Sequence, residues 1–377
     1  AATSVAKAFD KLSLPYDRTP TGQPKFDKNF LTTHDSPLAK MVVECREINK
    51  ARTTFIESIT KHSFRGRIHA EIHQMRSDQG GTVTGRFSYS NPNLQQIPAR
   101  HGILGPLIRS IFIPEKDHEW GIFDYSQQEP RILVHYAHVY GKSRDVPLRG
   151  VEEFVTSYRE DPDMDFHTMV AEMADIPRKQ AKTINLGMMY GMGVNKLSEQ
   201  MDIAVEDAKI LVKQYHEKVP FVKMLMSGVT NRLNEKDSSG SIRSILGRKC
   251  RFDLWEPTTF AMHKALPYRD AIAEHGDTTR LRRAYTYKAL NRLIQASAAD
   301  MTKKSMVGIY KTGKIPLIQI HDEIALSVKD VEEAKKYSTI ELSAMRCAHA
   351  SRFARNRFLF PSPSREGLGE GRALTLP

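Results

Sequence analysis

Two apolar runs that indicate β-strands each end at an acidic residue, and they constrain the fold more than any other feature of the sequence. The first run, IFDYS at 122–126, contains Asp124, and a helical pattern starts directly after it, with Pro130 in its first turn. The second is a predicted hairpin, IPLIQI and IALSV, with the acidic tip HDE at 321–323. A strand end or hairpin tip can direct a carboxylate into a cleft. Asp124 and Asp322 are therefore candidate site residues, although either one alone fits an ordinary turn or helix cap.

Helical patterns account for much of the remaining chain. Apolar residues recur at helical spacing from Ser36 to about His62, which predicts one long amphipathic helix. Residues 13–35 are rich in Pro, Gly, Thr and Asp and predict an extended connection. Helical patterns dominate residues 150–235, and a further helix is predicted from Tyr285 to Lys311. The intervening segment, 236–285, is charged and turn-rich and shows no clear pattern.

The charge balance favours a polyanionic partner. The 377 residues contain 56 Lys and Arg against 44 Asp and Glu, a formal net charge of +12. Charge alone does not name the partner, and the length fits two or three subdomains. Three widely spaced cysteines favour free thiols in a reducing compartment. No apolar run could span a bilayer and the N-terminus lacks a secretory signal, so we expect a cytosolic protein with no membrane partner.

A stripe of residues on one predicted helix suggests a role for Asp124 and Asp322. Arg178, Lys182, Leu186 and Tyr190 follow one another at four-residue spacing, so on a helix they share a face. Arg178 and Lys182 could hold a triphosphate while Leu186 and Tyr190 pack on its base or sugar. Nucleotidyl transfer also needs divalent cations held by carboxylates, for which Asp124 and Asp322 are the natural pair. An ordinary amphipathic helix would explain the stripe if it stood alone.

Four motifs give these residues a family context. They are VTGRFSYSNPNLQQIPAR at 83–100, FDYSQQEPR at 123–131, RKQAKTINLGMMYG at 178–191 and IQIHDEI at 318–324. In order and spacing they resemble the signatures of family A DNA polymerases, the bacterial polymerase I and phage replicative group. The resemblance covers roughly residues 10–335 and is far more specific than a single glycine pattern.

The resemblance implies an α+β fold of the right-hand polymerase type, with a partial thumb, an antiparallel-sheet palm and helical fingers. The implied boundaries are 1–66 for the partial thumb and connection, 67–140 for the first part of the palm, 141–284 for the fingers, 285–340 for the second part of the palm, and 341–377 for an atypical, disordered tail.

The resemblance also assigns roles to individual residues. Asp124 and Asp322 are the implied ligands of two Mg²⁺ ions, and Glu323 and Lys182 are the further catalytic candidates. The implied nucleotide-binding residues are Arg178, Lys182, Leu186, Tyr190, His167, Gln127 and Glu129, and the implied DNA-binding residues are Arg86, Asn291, Gln295, His321 and Arg131. Glu129 matches the glutamate that selects the sugar, so the implied product is DNA.

The implied activity is the addition of deoxynucleotides to the 3′ end of a primer paired with template DNA. A truncated polymerase that binds primer-template without catalysis is the first alternative. A single-subunit RNA polymerase or reverse transcriptase is the second, and Glu129 and the TGRFSYSNPNLQ segment disfavour it.

Several departures from the family pattern bear on these expectations. Gln128 and Pro130 stand where bacterial members usually have aliphatic residues, and Leu186 stands where many relatives have Phe or Tyr. These choices favour a viral member, acting in the host cytoplasm, that discriminates against dideoxynucleotides. No set of exonuclease carboxylates is visible, so we expect no proofreading by this chain. From about Glu341 the sequence changes character, as a frameshift or junction would explain.

Overall fold

A computed structural model describes residues 2–75, 80–98, 102–161, 163–235, 238–259, 263–276 and 280–339. The tail that the sequence predicts to be disordered, from residue 341, lies outside the described residues. The described chain forms two compact units, the first from residues in 1–72 and 89–113 and the second from residues in 73–88 and 114–339. The chain passes from one unit to the other within the strand β5 (Glu71–His73), within the strand β6 (Ser88–Ser90), and between residues 113 and 114.

The first unit is mainly helical. Its other elements are α1 (Ala2–Lys11), β1 (Asp17–Arg18), β2 (Pro24–Lys25), α2 (Lys28–Thr33), α3 (Pro37–Lys50), a π-helix (Ala51–Ile56), α4 (Glu57–Lys61), β3 (Ser63–Phe64), β4 (Arg67–Ile68), a 3₁₀ turn (Leu94–Gln96) and α5 (Leu104–Arg109). Phe9 and Phe26, with ring centroids 4.9 Å apart, lie at the centre of a small core with Leu31. The predicted extended connection at 13–35 is therefore wrong in part, because α2 buries Leu31 in this core.

The long helix predicted from Ser36 to His62 is confirmed. The Ser36 hydroxyl accepts a hydrogen bond from the backbone N–H of Leu38 at 3.2 Å, and Pro37 occupies the first helical position. The helix continues from α3 through the π-helix into α4. The π-helical turns widen it in the middle, which apolar spacing alone does not predict.

The strands of the second unit are β7 (Glu119–Asp124), β8 (Ser241–Arg243), β9 (Lys249–Arg251), β10 (Leu254–Pro257), β11 (Leu266–Pro267), β12 (Leu281–Arg283), β13 (Ile318–Ile320) and β14 (Glu323–Val328). The central sheet has the order β13-β14-β7 and is antiparallel throughout. Its apolar face packs Phe123, Ile324 and Leu326 against Ile309. The hairpin predicted around residues 321–323 is confirmed, and its second strand pairs with the strand that ends at Asp124.

The helices of the second unit are α6 (Gln128–Lys142), α7 (Val151–Glu160), α8 (Phe166–Ala174), α9 (Arg178–Met189), α10 (Val194–Met201), α11 (Val205–Lys218), α12 (Pro220–Asn234), α13 (Tyr268–His275) and α14 (Ala289–Tyr310), and residues 331–339 are also helical. Their main core is built around Phe154, Phe166, Tyr215 and Phe221. The helical prediction for 150–235 is confirmed. Helix α14 starts later than predicted, because Tyr285 has a left-handed φ of 61° and a 3₁₀ turn precedes the helix.

The segment without a clear sequence pattern, 236–285, forms two small sheets. Strands β8 and β9 make a hairpin, and β10 pairs with both β11 and β12. The strands have two to four residues each, too short for a periodic apolar pattern to be recognisable.

The combination of helices with antiparallel sheets confirms the α+β prediction. Among the described helices, none is both long enough and apolar enough to cross a membrane. The finer boundaries of thumb, palm and fingers stay a prediction.

Candidate active site

The pairing of β7 with β14 collects three carboxylates at one end of the central sheet. Asp124, the last residue of β7, lies directly opposite Glu323, the first residue of β14. Directly opposite residues in an antiparallel pair have side chains about 5 Å apart on the same face. Asp322 lies in the turn just before Glu323. The sequence predicted the two aspartates as a pair, and the strand register explains how they meet.

Negative charge is concentrated in this cluster. The surrounding protein, followed by the negative charges of Asp322 and Glu323, raises the pKa of the Asp124 carboxyl to about 6. Asp124 nevertheless remains exposed, so a cation from solvent can reach it. A bound cation would relieve the repulsion and restore the ionised form.

The donor set fits magnesium. Within the described part of the chain, no three His, Cys, Asp or Glu side chains are arranged as a metal site. Mg²⁺ is commonly held by one or two carboxylates together with water and substrate phosphates, rather than by a complete protein cage. Asp124 and Asp322 match that pattern, and their mutual repulsion is the observation that favours a cation there.

The loop between β7 and α6 fixes the elements around the carboxylates. Gln127 has a left-handed backbone with φ 51°. Its side-chain amide donates to the Met164 carbonyl at 3.0 Å and accepts from the Phe166 N–H at 2.7 Å. Both the nitrogen and the oxygen of the Gln127 side-chain amide therefore hold the chain at the start of α8. The predicted contact of Gln127 with nucleotide stays a prediction, and the structure shows a positioning role.

Glu129 is held from two sides in the first turn of α6. Its Oε1 accepts a hydrogen bond from the Arg86 guanidinium, and its Oε2 accepts one from the Tyr190 hydroxyl. Burial, followed by the charge of Glu129, raises the pKa of Tyr190. The Glu129 side chain is almost fully buried. Its position is thus determined by residues far away in the sequence, which the sequence could not reveal.

The predicted cationic stripe lies on α9. Arg178 and Lys182 are exposed, Leu186 and Tyr190 are half-buried, and Tyr190 follows directly after the last helical residue. Helix α9 therefore presents two cations to solvent, and the tyrosine whose hydroxyl holds Glu129 follows its last residue.

An acid that the sequence did not single out holds Arg178. The Arg178 guanidinium forms an ion pair with Asp165, and its Nε also donates to the Thr168 hydroxyl at 3.2 Å. Asp165 caps α8, since its Oδ1 accepts from the His167 N–H at 2.7 Å and the Thr168 N–H at 3.0 Å. The sequence DFHT at 165–168 could have indicated this helix cap, because an Asp directly before a helix commonly caps it.

His167 is buried and neutral. Burial, followed by the nearby cations Lys182 and Arg178, lowers its pKa to about 4 against the opposing effect of Asp165. Asn185 donates to its Nδ1 at 3.0 Å, which leaves the ring proton on Nε2. His167 can therefore contact a phosphate only as a neutral donor.

The remaining predicted DNA contacts lie in several places. Asn291 and Gln295 are half-buried one turn apart on α14, and His321 is exposed with a left-handed φ of 58°. Arg131 donates from Nε to the Ser126 carbonyl at 3.0 Å and stacks 4.6 Å above the Tyr158 ring. Arg131 thus packs α6 against α7, and its predicted DNA contact stays a prediction, as do the others.

The chain resembles several polymerases. It is 33% identical to a DNA-directed DNA polymerase of Pseudomonas phage M6, over 89% of this chain and 53% of the phage protein. It is 31% identical to the thermostable DNA polymerase I of Thermus aquaticus, over 77% of this chain and 32% of that protein. The phage relative agrees with the viral affiliation predicted from the sequence.

A solved structure shows the same fold. The polymerase domain of Pol1 from M. smegmatis, in complex with DNA primer-template and dNTP, superposes with a TM-score of 0.69 at 26% identity, covering 92% of this chain and 57% of that one. This similarity confirms the predicted polymerase fold.

The sequence profile of DNA polymerase family A matches residues 5–354. This match extends beyond residue 341, where the sequence changes character, and beyond the range of about 10–335 expected from the motifs. The chain spans about half the length of the phage relative and about a third of the length of the Thermus aquaticus relative. The profile match over most of its length shows that the chain belongs to DNA polymerase family A.

Proposed function

We propose that the chain catalyses DNA-templated DNA synthesis, adding deoxynucleotides to a primer 3′ end. The observation that carries this proposal is the register of β7 and β14, which places Asp124, Asp322 and Glu323 at one sheet end. Family membership and a similar structure bound to primer-template and dNTP support it. The relatives of phage origin favour a role in the host cytoplasm.

Asp124 and Asp322 would hold two Mg²⁺ ions. When bound, these ions supply positive charge to the attacking 3′-oxygen and to the phosphate oxygens. The protein residues do the positioning. Lys182 neutralises charge that develops on the departing pyrophosphate, and Arg178 binds the same phosphates once it releases Asp165. Glu129, held by Arg86 and Tyr190, blocks the space of a ribose 2′-hydroxyl.

Primer extension with magnesium tests this proposal. Wild type should extend a primer-template, and Asp322→Asn should bind it without extending it. Glu332→Gln, which removes an exposed carboxylate just beyond the opposite end of β14, should behave like wild type. Equal extension by wild type and Asp322→Asn would contradict the assigned role of Asp322.

The second candidate function is primer-template binding without catalysis. The change of sequence character from about Glu341 is the sequence feature that favours it. A gel shift by wild type without any extension would support this function and reject the first.

A further inference from the structure

One arginine outside the predicted site connects α14 with the loop that carries Arg86. The turn between β8 and β9 is closed by a bond from the Ser244 N–H to the Arg248 carbonyl at 3.0 Å. The next N–H, that of Ile245, donates to the Ser297 hydroxyl of α14 at 3.1 Å. Arg248 therefore leaves a turn whose backbone is already fixed on the helix.

The guanidinium of Arg248 is attached to α14 along one side. Its Nε donates to Asp300 Oδ1 at 3.0 Å, and its Nη2 donates to the Ala296 carbonyl at 2.9 Å. Asp300 is buried, and truncating the arginine would leave its carboxylate without this ion pair. Two bonds and a buried charge thus hold the planar group in one orientation.

The other side of this guanidinium lies against Gly85. A Cβ at Gly85 would come within 2.3 Å of Arg248 Nη1, and the backbone φ of Gly85 is +76°. A side chain is therefore excluded both by the contact and by the backbone conformation. Lys303 approaches the same loop at Phe87, with Nζ 4.3 Å from the ring centroid. The loop from Gly85 to Phe87 thus contacts two cations, Lys303, which belongs to α14, and Arg248, which is hydrogen-bonded to it.

We propose that Arg248 is a positioning residue that holds the Gly85–Arg86 turn so that Arg86 reaches Glu129 and DNA. The contacts lead from Asp300 through Arg248 to Gly85, and from the adjacent Arg86 to Glu129. The DNA contact of Arg86 rests on the proposed function. Displacing the turn by about 1 Å should lower catalytic efficiency by ten- to a hundredfold, without a direct contact between Arg248 and substrate.

A double-mutant cycle separates this role from a general effect on folding. Arg248→Lys keeps a positive charge for Asp300 but removes the fork that supports Gly85. It is combined with Arg86→Ala, and kcat/KM for a correct deoxynucleotide and Kd for primer-template are measured for both single variants and the double variant. Arg243→Lys is the matched control, because Arg243 lies on the same hairpin and donates to the turn carbonyl of Gly247 at 3.0 Å.

The proposal expects Arg248→Lys to lose ten- to a hundredfold in kcat/KM, with the double variant no worse than Arg86→Ala alone. Arg243→Lys should stay within about twofold of wild type. Losses that multiply in the double variant, or an unchanged Arg248→Lys beside an impaired Arg86→Ala, would overturn the proposal. A defect equal in Arg248→Lys and Arg243→Lys would do the same.

Two further provisions keep the test decisive. If Arg248→Lys fails to fold, as judged by thermal unfolding, Asp300→Asn replaces it, since it weakens the ion pair that orients the guanidinium, with the same outcomes expected. If wild type binds primer-template but extends nothing, the proposed function fails, while the cycle in Kd still decides whether Arg248 acts through Arg86.

Discussion

The two hydrogen bonds on Glu129 predict how strongly the protein rejects ribonucleotides. To make room for a 2′-hydroxyl, the carboxylate must move away from Arg86 and from the Tyr190 hydroxyl. A hydrogen bond to a charged group contributes about 1.5–3 kcal/mol. Because Tyr190 is only half-buried, we take the lower value for its bond. Tyr190→Phe removes this one bond and should relax discrimination about tenfold, since about 1.4 kcal/mol corresponds to a factor of ten.

Removing the carboxylate altogether should have a larger effect. Glu129→Ala eliminates both bonds and the obstruction, so we expect at least a hundredfold relaxation, on the order of two bonds of this strength. The assay is single-nucleotide extension, with the ratio of kcat/KM for a deoxynucleotide to that for the matching ribonucleotide. Tyr337→Phe is the control, because the Tyr337 hydroxyl also donates to a glutamate, Glu333, at 3.2 Å. An unchanged ratio in Tyr190→Phe together with a relaxed ratio in Glu129→Ala would refute the clamping of Glu129 by Tyr190.

Three further predictions concern other parts of the site. Asp322→Asn, or chelation of divalent ions, should abolish extension while binding of primer-template, measured by gel shift, persists. Asp165→Asn keeps the helix cap but frees Arg178, so it should lower KM for deoxynucleotides by up to about fivefold, as expected of an exposed ion pair; a raised KM would show that the pair assists binding. His167 has a folded pKa of about 4 against an ordinary 6.5, so the folded state binds fewer protons and stability should fall as pH decreases through that window. The loss should be about 2 kcal/mol between pH 7 and pH 5, and denaturant unfolding should show a smaller loss for His167→Gln.

The sequence predicted the residues that lie on regular elements. Asp124 ends a strand, Asp322 lies in a hairpin turn, and Arg178 and Lys182 share a helical face, as apolar and charged spacing indicated. These features depend on local periodicity, which a sequence contains directly. The resemblance implied an antiparallel sheet in the palm, and the structure adds that β7 pairs with β14.

The contacts that fix the site could not be predicted in the same way. Gln127 holds the start of α8 from a left-handed backbone position, and Asp165 pairs with an arginine on the next helix. Glu129 depends on Arg86 and Tyr190, which are distant in sequence. Such contacts arise from tertiary packing, and no local spacing encodes them. The short strands of 236–285 were missed for a related reason, since they have too few residues to show a period.

The packing of α6 also explains why the chain tolerates Gln128 where bacterial relatives usually have an aliphatic residue. Gln128 is almost fully buried, and an unpaired buried amide would be costly. Its Nε2 lies 3.4 Å from both the Ala298 carbonyl and the Thr302 hydroxyl of α14. That hydroxyl also donates to the Ala298 carbonyl at 3.2 Å, so the three groups form a small polar network between α6 and α14. The departure at Gln128 is thus compensated by Thr302, and neither residue disturbs the adjacent Glu129.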